Sequence, residues 1–290
     1  KPTTSTTIGT LRLAELFAET DLPLGMYQVL PVSSKVADGM ARDDRFRKIS
    51  FTGSSDIGWY LKGLDPKKRV TLELGGNAGV IVHSDADLDL AAQRVAFGGY
   101  YQAGQSCISV QRVLVQSEVY EDFAAGLVKQ VESLKVGDPM DPTVDVGPVI
   151  QKSEVGRIDS WVQEAVSQGA TVLTGGKAEE PFYYPTLIAD VQPDMKVCRE
   201  EIFGPVVTIS PYQTFDDAIA SVNDSRFGLQ AGVFTNDINR AFQAHRDIEV
   251  GADQMPYGGS KDSGFGREGL RYAMEEMTEP RIMVLSHVPL

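Results

Sequence analysis

The feature that most constrains the fold is an alternation that runs along almost all of the 290 residues. Short runs of β-branched and apolar residues, such as 80–83 and 112–116, are each followed by a segment with the period of an α-helix, such as 87–102 and 120–134. Parallel strands joined by crossover helices have this pattern. The sequence therefore predicts an α/β fold.

The same pattern places further elements along the chain. A Gly-Gly pair at Gly75 and Gly76 predicts a hinge, and the glycine-rich segment 255–269 predicts either a tight turn or a close approach to a ligand. Further helices are predicted at 10–19, 54–63, 215–223 and 238–246, and further strands at 27–31, 48–52, 70–74, 169–174, 206–210 and 232–235.

Composition disfavours several kinds of partner and site. The 40 acidic residues outnumber the 27 basic ones, and the net charge of −13 opposes binding to nucleic acid or to anionic membranes. No apolar run reaches the roughly 18 residues of a membrane span. Two cysteines in dissimilar surroundings predict a reducing compartment, which we take to be the cytoplasm. The three histidines have no metal-ligand spacing, so no metal is expected.

Cys107 is a candidate nucleophile. It lies in the segment YYQAGQSCIS, just after a predicted helix ends at Ala103 and Gly104, where the chain must turn. A thiolate in such a loop can attack a carbonyl carbon, and the backbone N–H of Cys107 can stabilise the resulting oxyanion. A small buried apolar residue is the commoner role of a single cysteine, so the residue alone leaves both roles open.

Glu73 is a candidate general base. It lies in the segment RVTLELGGN and is an acidic residue inside the otherwise apolar strand predicted at 70–74. Burial in such a strand raises the pKa of a carboxyl group towards neutrality, which suits a base that works at neutral pH. An ion pair with a nearby arginine is the alternative role for Glu73.

Three motifs follow one another along the chain: TLELGGN around Glu73, GQSC ending at Cys107, and EEIFGPV around Glu201. In this order and spacing they resemble the aldehyde dehydrogenase superfamily. Three further stretches extend the resemblance over nearly the whole chain, at 49–58, 222–237 and 256–269.

The resemblance implies a Rossmann-type cofactor domain and an α/β catalytic domain. Residues 1–75 would form part of the first and residues 76–262 the second. Residues 263–290 would return to the cofactor domain and end in a strand that pairs between subunits of a homodimer or homotetramer. The resemblance also implies an upstream region with a Trp-Asn motif, and a longer loop near 251, which this sequence lacks.

The activity implied by the resemblance is oxidation of an aldehyde to a carboxylic acid with NAD or NADP. Cys107 would form a thiohemiacetal and then a thioester, and Glu73 would activate the water that hydrolyses the thioester. Tyr101, Ser106, Ile108 and Tyr257 would line the aldehyde tunnel.

Cofactor contacts also carry over from the resemblance. Gly53 and Ser54 would bind the pyrophosphate at a helix start, although Ser54 also suits a helix cap. Glu201 would hold the nicotinamide ribose, although alone it would be taken as a surface carboxylate. A threonine at Thr4, where NAD-preferring members often carry Glu, predicts that NADP is accepted. The complete set of expected contacts is Lys1, Thr4, Phe51, Gly53, Ser54, Ile57, Leu74, Gly75, Glu201 and Phe203.

Three other functions remain open on the sequence alone. A noncatalytic protein could keep this fold, although a structural role would not require Cys107, Glu73 and Glu201 together. An acylating enzyme would transfer the acyl group to coenzyme A, and a cysteine hydrolase would need no cofactor. A requirement for NAD(P) or for coenzyme A separates these alternatives.

Overall fold

The computed structural model describes residues 1–250, 257–279 and 281. The chain divides into two compact units, the first formed by Lys1–Ile49 and Trp59–Arg69 and the second by Ser50–Gly58 and Val70–Leu290. The α-helices are α1 (Thr7–Ala18), α2 (Ser34–Arg42), α3 (Ser55–Gly63), α4 (Leu88–Tyr100), α5 (Tyr120–Glu132), α6 (Lys152–Ser167), α7 (Lys196–Arg199), α8 (Phe215–Asn223), α9 (Ile238–Asp247) and α10 (Leu270–Met277).

The strands form several sheets, the largest of which has six strands in the order β11-β3-β4-β9-β8-β5. The strands are β1 (Lys48–Thr52), β2 (Arg69–Glu73), β3 (Ala78–Val82), β4 (Val110–Gln116), β5 (Thr171–Thr174), β6 (Ala178–Glu179), β7 (Phe182–Tyr183), β8 (Thr186–Ala189), β9 (Val206–Tyr212), β10 (Phe227–Gly228), β11 (Ala231–Phe234), β12 (Ser260–Lys261) and β13 (Gly264–Phe265). Short 3-10 helices span Thr4–Thr6, Tyr101–Gly104 and Ser117–Val119.

The six-stranded sheet is parallel except for β5, which pairs antiparallel with β8. Side chains of a strand point alternately to opposite faces. Val80 and Val82 accordingly enter one hydrophobic cluster, whereas Ile81 between them enters a second cluster with Ile219 and Val222 of α8. Both faces are therefore covered, which is why β3 reads as the continuous apolar run AGVIV.

Helix α4 shows how local sequence sets an element of the second unit. The Asp87 side chain accepts a hydrogen bond from the Leu90 N–H and caps the helix start. Ala91, Ala92 and Val95 on its inner face are buried in the larger cluster. An acidic side chain thus caps the start of the helix predicted at 87–102.

The first unit is held by polar contacts between its own segments. The Ser33 side chain caps α2 by accepting from the Val36 N–H, and Arg42 near its end pairs with Asp38. Lys68 donates to the Ala41 carbonyl. No residue of this unit, all of which the structure describes, is buried.

Most predicted elements are confirmed to within a few residues, including the strands at 48–52 and 70–74 and the α/β class itself. The strand predicted at 27–31 is wrong. That segment is exposed or half-buried and pairs with no strand in the described part of the chain, and Pro31 has no N–H to donate. A strand without a neighbour leaves its backbone groups to water and is not stable.

Two further expectations concern the end of the chain and membranes. The terminal strand predicted at 280–288 lies outside the described residues, apart from Arg281. Among the described residues, no helix is long and apolar enough to cross a membrane.

Candidate active site

The three sequence motifs lie at one edge of the six-stranded sheet. Gly76 precedes β3, Cys107 precedes β4 and Glu201 precedes β9, and these three strands are parallel neighbours. Adjacent parallel strands start at the same edge of a sheet, so the segments that lead into them end there and residues far apart in sequence meet. Ligands of open α/β sheets usually lie at the carboxyl edge, whereas this group gathers at the amino edge.

Backbone contacts hold these segments together. A Cβ atom on Gly76 would lie 1.9 Å from the carbonyl oxygen of Cys107, and one on Gly104 would lie 2.1 Å from the carbonyl oxygen of Gly204. Only glycine allows so close an approach. The loops before β3 and β9 are therefore both packed against the loop that carries Cys107.

The turn that presents Cys107 is strained. Gln102, Ala103 and Gly104 have φ values of 50°, 55° and 67°, all in the left-handed region. For each non-glycine residue this conformation costs about 1–2 kcal/mol. Strain of this kind persists only where surrounding structure holds it, and it concentrates at functional sites.

The Cys107 thiol is partly buried and lies among polar groups. Burial raises its pKa, and the nearby carboxylates of Glu201 and Glu73 raise it further. A hydrogen bond with Tyr257 and one with the Cys107 backbone N–H act in the opposite direction. The thiolate is therefore stabilised by two hydrogen bonds and opposed by desolvation and negative charge.

Glu73 is the last residue of β2 and is only 5% exposed. It pairs with Gly264 of β13, and both of its carboxylate oxygens lack a hydrogen-bond partner among the described residues. The Glu73 pKa is raised to about 7, chiefly by burial and also by the negative charge of Glu268, against the lowering effect of Arg267. The expected raised pKa is confirmed, and the structure gives Glu73 no ion pair with any arginine among the described residues.

Glu201 makes a direct bond to the segment before β3. Its Oε1 accepts from the Gly76 N–H at 2.8 Å. Burial is the main cause that raises the Glu201 pKa to about 7, and it outweighs the lowering effects of the Gly76 hydrogen bond, Arg226 and Arg157. The surface carboxylate considered for Glu201 is therefore wrong, because its side chain is largely enclosed and hydrogen-bonded.

A cavity of about 800 Å³ lies within the second unit beside Cys107. One wall is the start of α3 with the loop before it, and another is formed by α6 through Arg157 and Trp161. The described residues that line it are Thr52, Gly53, Ser54, Ser55, Asp56, Leu74, Gly75, Gln105, Ser106, Cys107, Glu154, Arg157, Trp161, Glu200, Glu201, Phe203, Arg226 and Phe227.

The cavity brings together part of the predicted set. It is lined by seven of the predicted catalytic and cofactor residues, namely Gly53, Ser54, Leu74, Gly75, Cys107, Glu201 and Phe203. Glu73, Phe51 and Ile57 also belong to the second unit but are not among its described lining residues. Lys1 and Thr4 lie in the first unit with exposed side chains, and their roles stay predictions.

Of the residues predicted to line the aldehyde tunnel, some lie near Cys107, but most are not among the described lining of the cavity. Tyr101 donates a hydrogen bond to Ser106 Oγ at 2.6 Å, directly beside Cys107. Tyr257 contacts the Cys107 thiol, and Ile108 is half-buried next to it in sequence. Of these residues, only Ser106 is among the described lining of the cavity.

Sequence reasoning missed several charged and aromatic residues of the cavity. Arg157 donates to Glu154 at 2.7 Å and to the Ile202 carbonyl at 2.6 Å, and its guanidinium lies 4.9 Å from the centre of the Trp161 ring. The spacing of Glu154, Arg157 and Trp161 on α6 could have indicated this group, because residues three and four apart share a helix face. Arg226, which pairs with Glu200 across the fold, had no local signal.

The family model described as "Aldehyde dehydrogenase family" matches residues 1–283. The chain belongs to this family. One curated relative is a 3-sulfolactaldehyde dehydrogenase of Priestia aryabhattai. This chain is 45% identical to it over 298 residues, and the alignment covers 99% of this chain and 62% of the relative.

Two solved structures of aldehyde dehydrogenase family members are similar in fold. One is aldehyde dehydrogenase 21 from Physcomitrella patens in complex with the reaction product succinate, with a TM-score of 0.93 and 44% identity over 96% of this chain and 61% of that one. The other is the NADP-dependent glyceraldehyde-3-phosphate dehydrogenase from Bacillus halodurans C-125 complexed with NADP, with a TM-score of 0.94 and 34% identity over 98% and 62%. The chain thus spans about three fifths of the length of these relatives.

Proposed function

We propose that the protein oxidises an aldehyde to a carboxylic acid with NAD or NADP, through a covalent intermediate on Cys107. The supporting observation is the convergence of three loops at the amino edge of one sheet. These loops carry the Cys107 thiol and the Glu201 carboxylate, both of which line the cavity. Strand β2 supplies a second carboxylate, Glu73, which has no hydrogen-bond partner among the described residues and whose charge acts on the thiol. Family membership and the relatives' names support the same activity.

The residues of the cavity fit a dinucleotide cofactor. Its volume of about 800 Å³ is in the range of ligand pockets, and Gly53 and Ser54 precede α3, where free N–H groups and the helix dipole suit a pyrophosphate. Glu201 uses Oε1 for Gly76 and retains acceptor capacity for a ribose hydroxyl. Phe203, 41% exposed, offers an apolar surface beside it for a nicotinamide ring.

The first steps of the mechanism centre on Cys107. Its thiolate adds to the carbonyl carbon of the aldehyde, which forms a C–S bond and moves the carbonyl electron pair onto oxygen. The Cys107 N–H donates a hydrogen bond to that oxygen. When bound, the nicotinamide cofactor supplies the hydride acceptor that turns the adduct into a thioester.

Glu73 serves the second half of the reaction. With a pKa of about 7 it is substantially ionised at neutral pH and can take a proton from water. The water oxygen then forms a bond to the thioester carbon, and the C–S bond breaks to release the carboxylic acid and Cys107. Hydrolysis by Glu73 supports a route that does not need coenzyme A.

A small polar aldehyde is the substrate class that we propose. The hydroxyl groups of Tyr101 and Ser106 form a hydrogen-bonded pair beside the nucleophile, and the Tyr257 side chain contacts it. Such groups can donate to oxygen atoms of a substrate. The relatives named for 3-sulfolactaldehyde and solved with succinate are consistent with this class.

The assembly and domain roles carried over from the family are also proposals. We propose a cytoplasmic homodimer or homotetramer. Its cofactor domain includes residues 1–75, its catalytic domain residues 76–262, and its final segment residues 263–290. The two free cysteines support a reducing compartment.

The test of the function is cofactor reduction by the full-length protein with a panel of aldehydes, followed by absorbance. Wild-type protein should turn over without coenzyme A, and Cys107→Ala should abolish turnover. Glu73→Gln should give about one reduced cofactor per site and then stop, because the thioester is no longer hydrolysed.

Each competing function gives a different result in the same assay. Absence of cofactor reduction with every aldehyde in folded protein would favour a noncatalytic role. A strict need for coenzyme A would favour the acylating reaction. Hydrolysis that depends on Cys107 but needs no NAD(P) would favour a cysteine hydrolase.

Cofactor choice is a separate prediction that depends on Thr4. A glutamate at this position would repel a 2′-phosphate, whereas threonine does not, so NADP should be used with an efficiency comparable to that of NAD. Thr4→Glu should lower kcat/KM for NADP by about tenfold and leave that for NAD within about twofold. Absolute selectivity for NAD in the wild-type protein would contradict the prediction.

A further inference from the structure

Gln111 is the second residue of β4 and lies four positions after Cys107. It is only 5% exposed. A buried amide is costly unless its donors and its acceptor are all hydrogen-bonded. The partners of Gln111 therefore indicate what the residue does.

All three of its side-chain hydrogen bonds go to the segment that carries Glu201. Nε2 donates to the Val197 carbonyl at 3.0 Å and to the Glu200 carbonyl at 2.6 Å. Oε1 accepts from the Ile202 N–H at 3.0 Å. One side chain thus fixes the backbone on both sides of Glu201.

The backbone next to Glu201 is strained, so it depends on contacts that hold its conformation. Phe203 has a φ of 48°, a strained conformation for a residue with a side chain. The two peptide groups that flank Ile202 are both held, since Gln111 accepts from the Ile202 N–H and Arg157 donates to the Ile202 carbonyl at 2.6 Å. The Glu201 carboxylate then reaches the Gly76 N–H from a backbone that cannot shift freely.

We propose that Gln111 is a positioning residue for Glu201, which sets the carboxylate where it can hold the cofactor ribose. This inference rests on the proposed function, because Glu201 is assigned there to cofactor binding. Gln111 itself touches neither the cavity nor Cys107 among the described contacts, so its effect passes through the Glu201 segment.

The test compares two substitutions that each remove buried hydrogen bonds. Gln111→Met keeps a similar volume and removes the three bonds to residues 197–202. Thr186→Val is the matched control, because the buried Thr186 hydroxyl bonds to Tyr184 and Gly176 and not to that segment. Both variants should unfold at lower temperature than the wild type.

Cofactor binding separates positioning from stability. The Kd for NAD(P) can be read without turnover from quenching of tryptophan fluorescence, because Trp161 lines the cavity. Gln111→Met should raise this Kd about tenfold, the effect of one lost hydrogen bond to a charged group, and Thr186→Val should leave it within about twofold. Alkylation of Cys107 by iodoacetamide without cofactor should change little in either variant.

A double-mutant cycle with Glu201→Gln decides whether the effect passes through Glu201. In that background, Gln111→Met should have little further effect on the Kd. Additive effects, or equal Kd values for Gln111→Met and Thr186→Val, would overturn the inference. If Gln111→Met does not fold, Gln111→Glu takes its place, because it keeps the acceptor for the Ile202 N–H. The Kd for NAD(P) should then rise by the same factor of about ten.

Failure of the proposed function gives a different result. Wild-type protein that binds neither NAD nor NADP would refute the cofactor role of the cavity before any variant is compared. Wild-type protein that binds cofactor, together with an unchanged Gln111 variant, would refute only the positioning role.

Discussion

At the scale of single residues, the site depends on carboxyl groups held away from water. Glu73 and Glu201 both have a pKa raised by burial to about 7. They differ in their partners, because Glu201 accepts a backbone hydrogen bond and Glu73 has none in the described part of the chain. An unpaired buried carboxylate suits proton transfer, whereas a bonded one suits a fixed contact.

The raised pKa of Glu73 predicts a pH dependence of both rate and stability. Hydrolysis of the acyl-enzyme should increase with pH and reach half of its plateau near pH 7, because only the carboxylate accepts a proton. The folded protein favours the protonated form of Glu73 more than the unfolded chain does. Ionisation of Glu73 therefore lowers the free energy of unfolding as the pH rises. This loss is absent below the unfolded pKa of about 4.5 and complete above the folded pKa of about 7.

Glu73→Gln isolates this group from others that titrate. The variant should be more stable than the wild type at pH 8 by on the order of 2 kcal/mol, and the difference should vanish near pH 4. Denaturant unfolding at the two pH values measures it. An equal difference at both values would contradict a raised pKa in the folded protein.

At the scale of elements, the site exists because the loops before β3, β4 and β9 touch through their backbones. The Gly76 contact is the closest of those described above, with room for no Cβ atom. Each loop contributes only some of the residues that line the cavity. The contact between them turns three strand starts into one site.

Gly76→Ala should therefore damage the site. The added Cβ would displace the Cys107 loop, and a shift of about 1 Å at reacting groups lowers turnover by roughly 100-fold. Gly126→Ala in α5 is the control, because its Cβ would meet no atom within 4 Å and the change should stabilise the helix by about 0.5–1 kcal/mol. Steady-state turnover and thermal unfolding of both variants test this, and normal turnover in Gly76→Ala would contradict it.

At the scale of the whole molecule, burial is uneven. The second unit contains the large hydrophobic cluster between its sheet and helices, whereas the first unit has no buried residue. Since buried apolar area is the main stabilising contribution to folding, the two units should differ in local stability.

Hydrogen exchange of the 290-residue chain should show this difference. Backbone amides of α1 and α2 should exchange at least about tenfold faster than those of β3, β4 and β9, which are central in a covered sheet. Mass spectrometry of peptides after deuterium labelling gives both rates in one experiment. Equal protection in the two sets of peptides would contradict the prediction.

The sequence by itself determined the class of the fold and predicted the main candidate groups of the site. The alternation of β-branched runs with helical periods is local, so it can be read without the fold, and most strands and helices were predicted from it. The motifs around Glu73, Cys107 and Glu201 likewise carry their residue types in a short stretch. The failed strand at 27–31 had the right local pattern but no partner, and pairing is not a local property.

Only the tertiary structure decided which segments meet. Several features of the site depend on chain segments that lie tens of residues apart in sequence. They are the contact of Gly76 with Cys107, the positions of Arg157 and Arg226 in the lining of the cavity, and the hydrogen bonds of Gln111 to the Glu201 segment. Strand order and close backbone approach place them together. The pKa values of Glu73 and Glu201 follow from the resulting burial, since desolvation depends on everything packed around a carboxyl group and not on its neighbours in sequence.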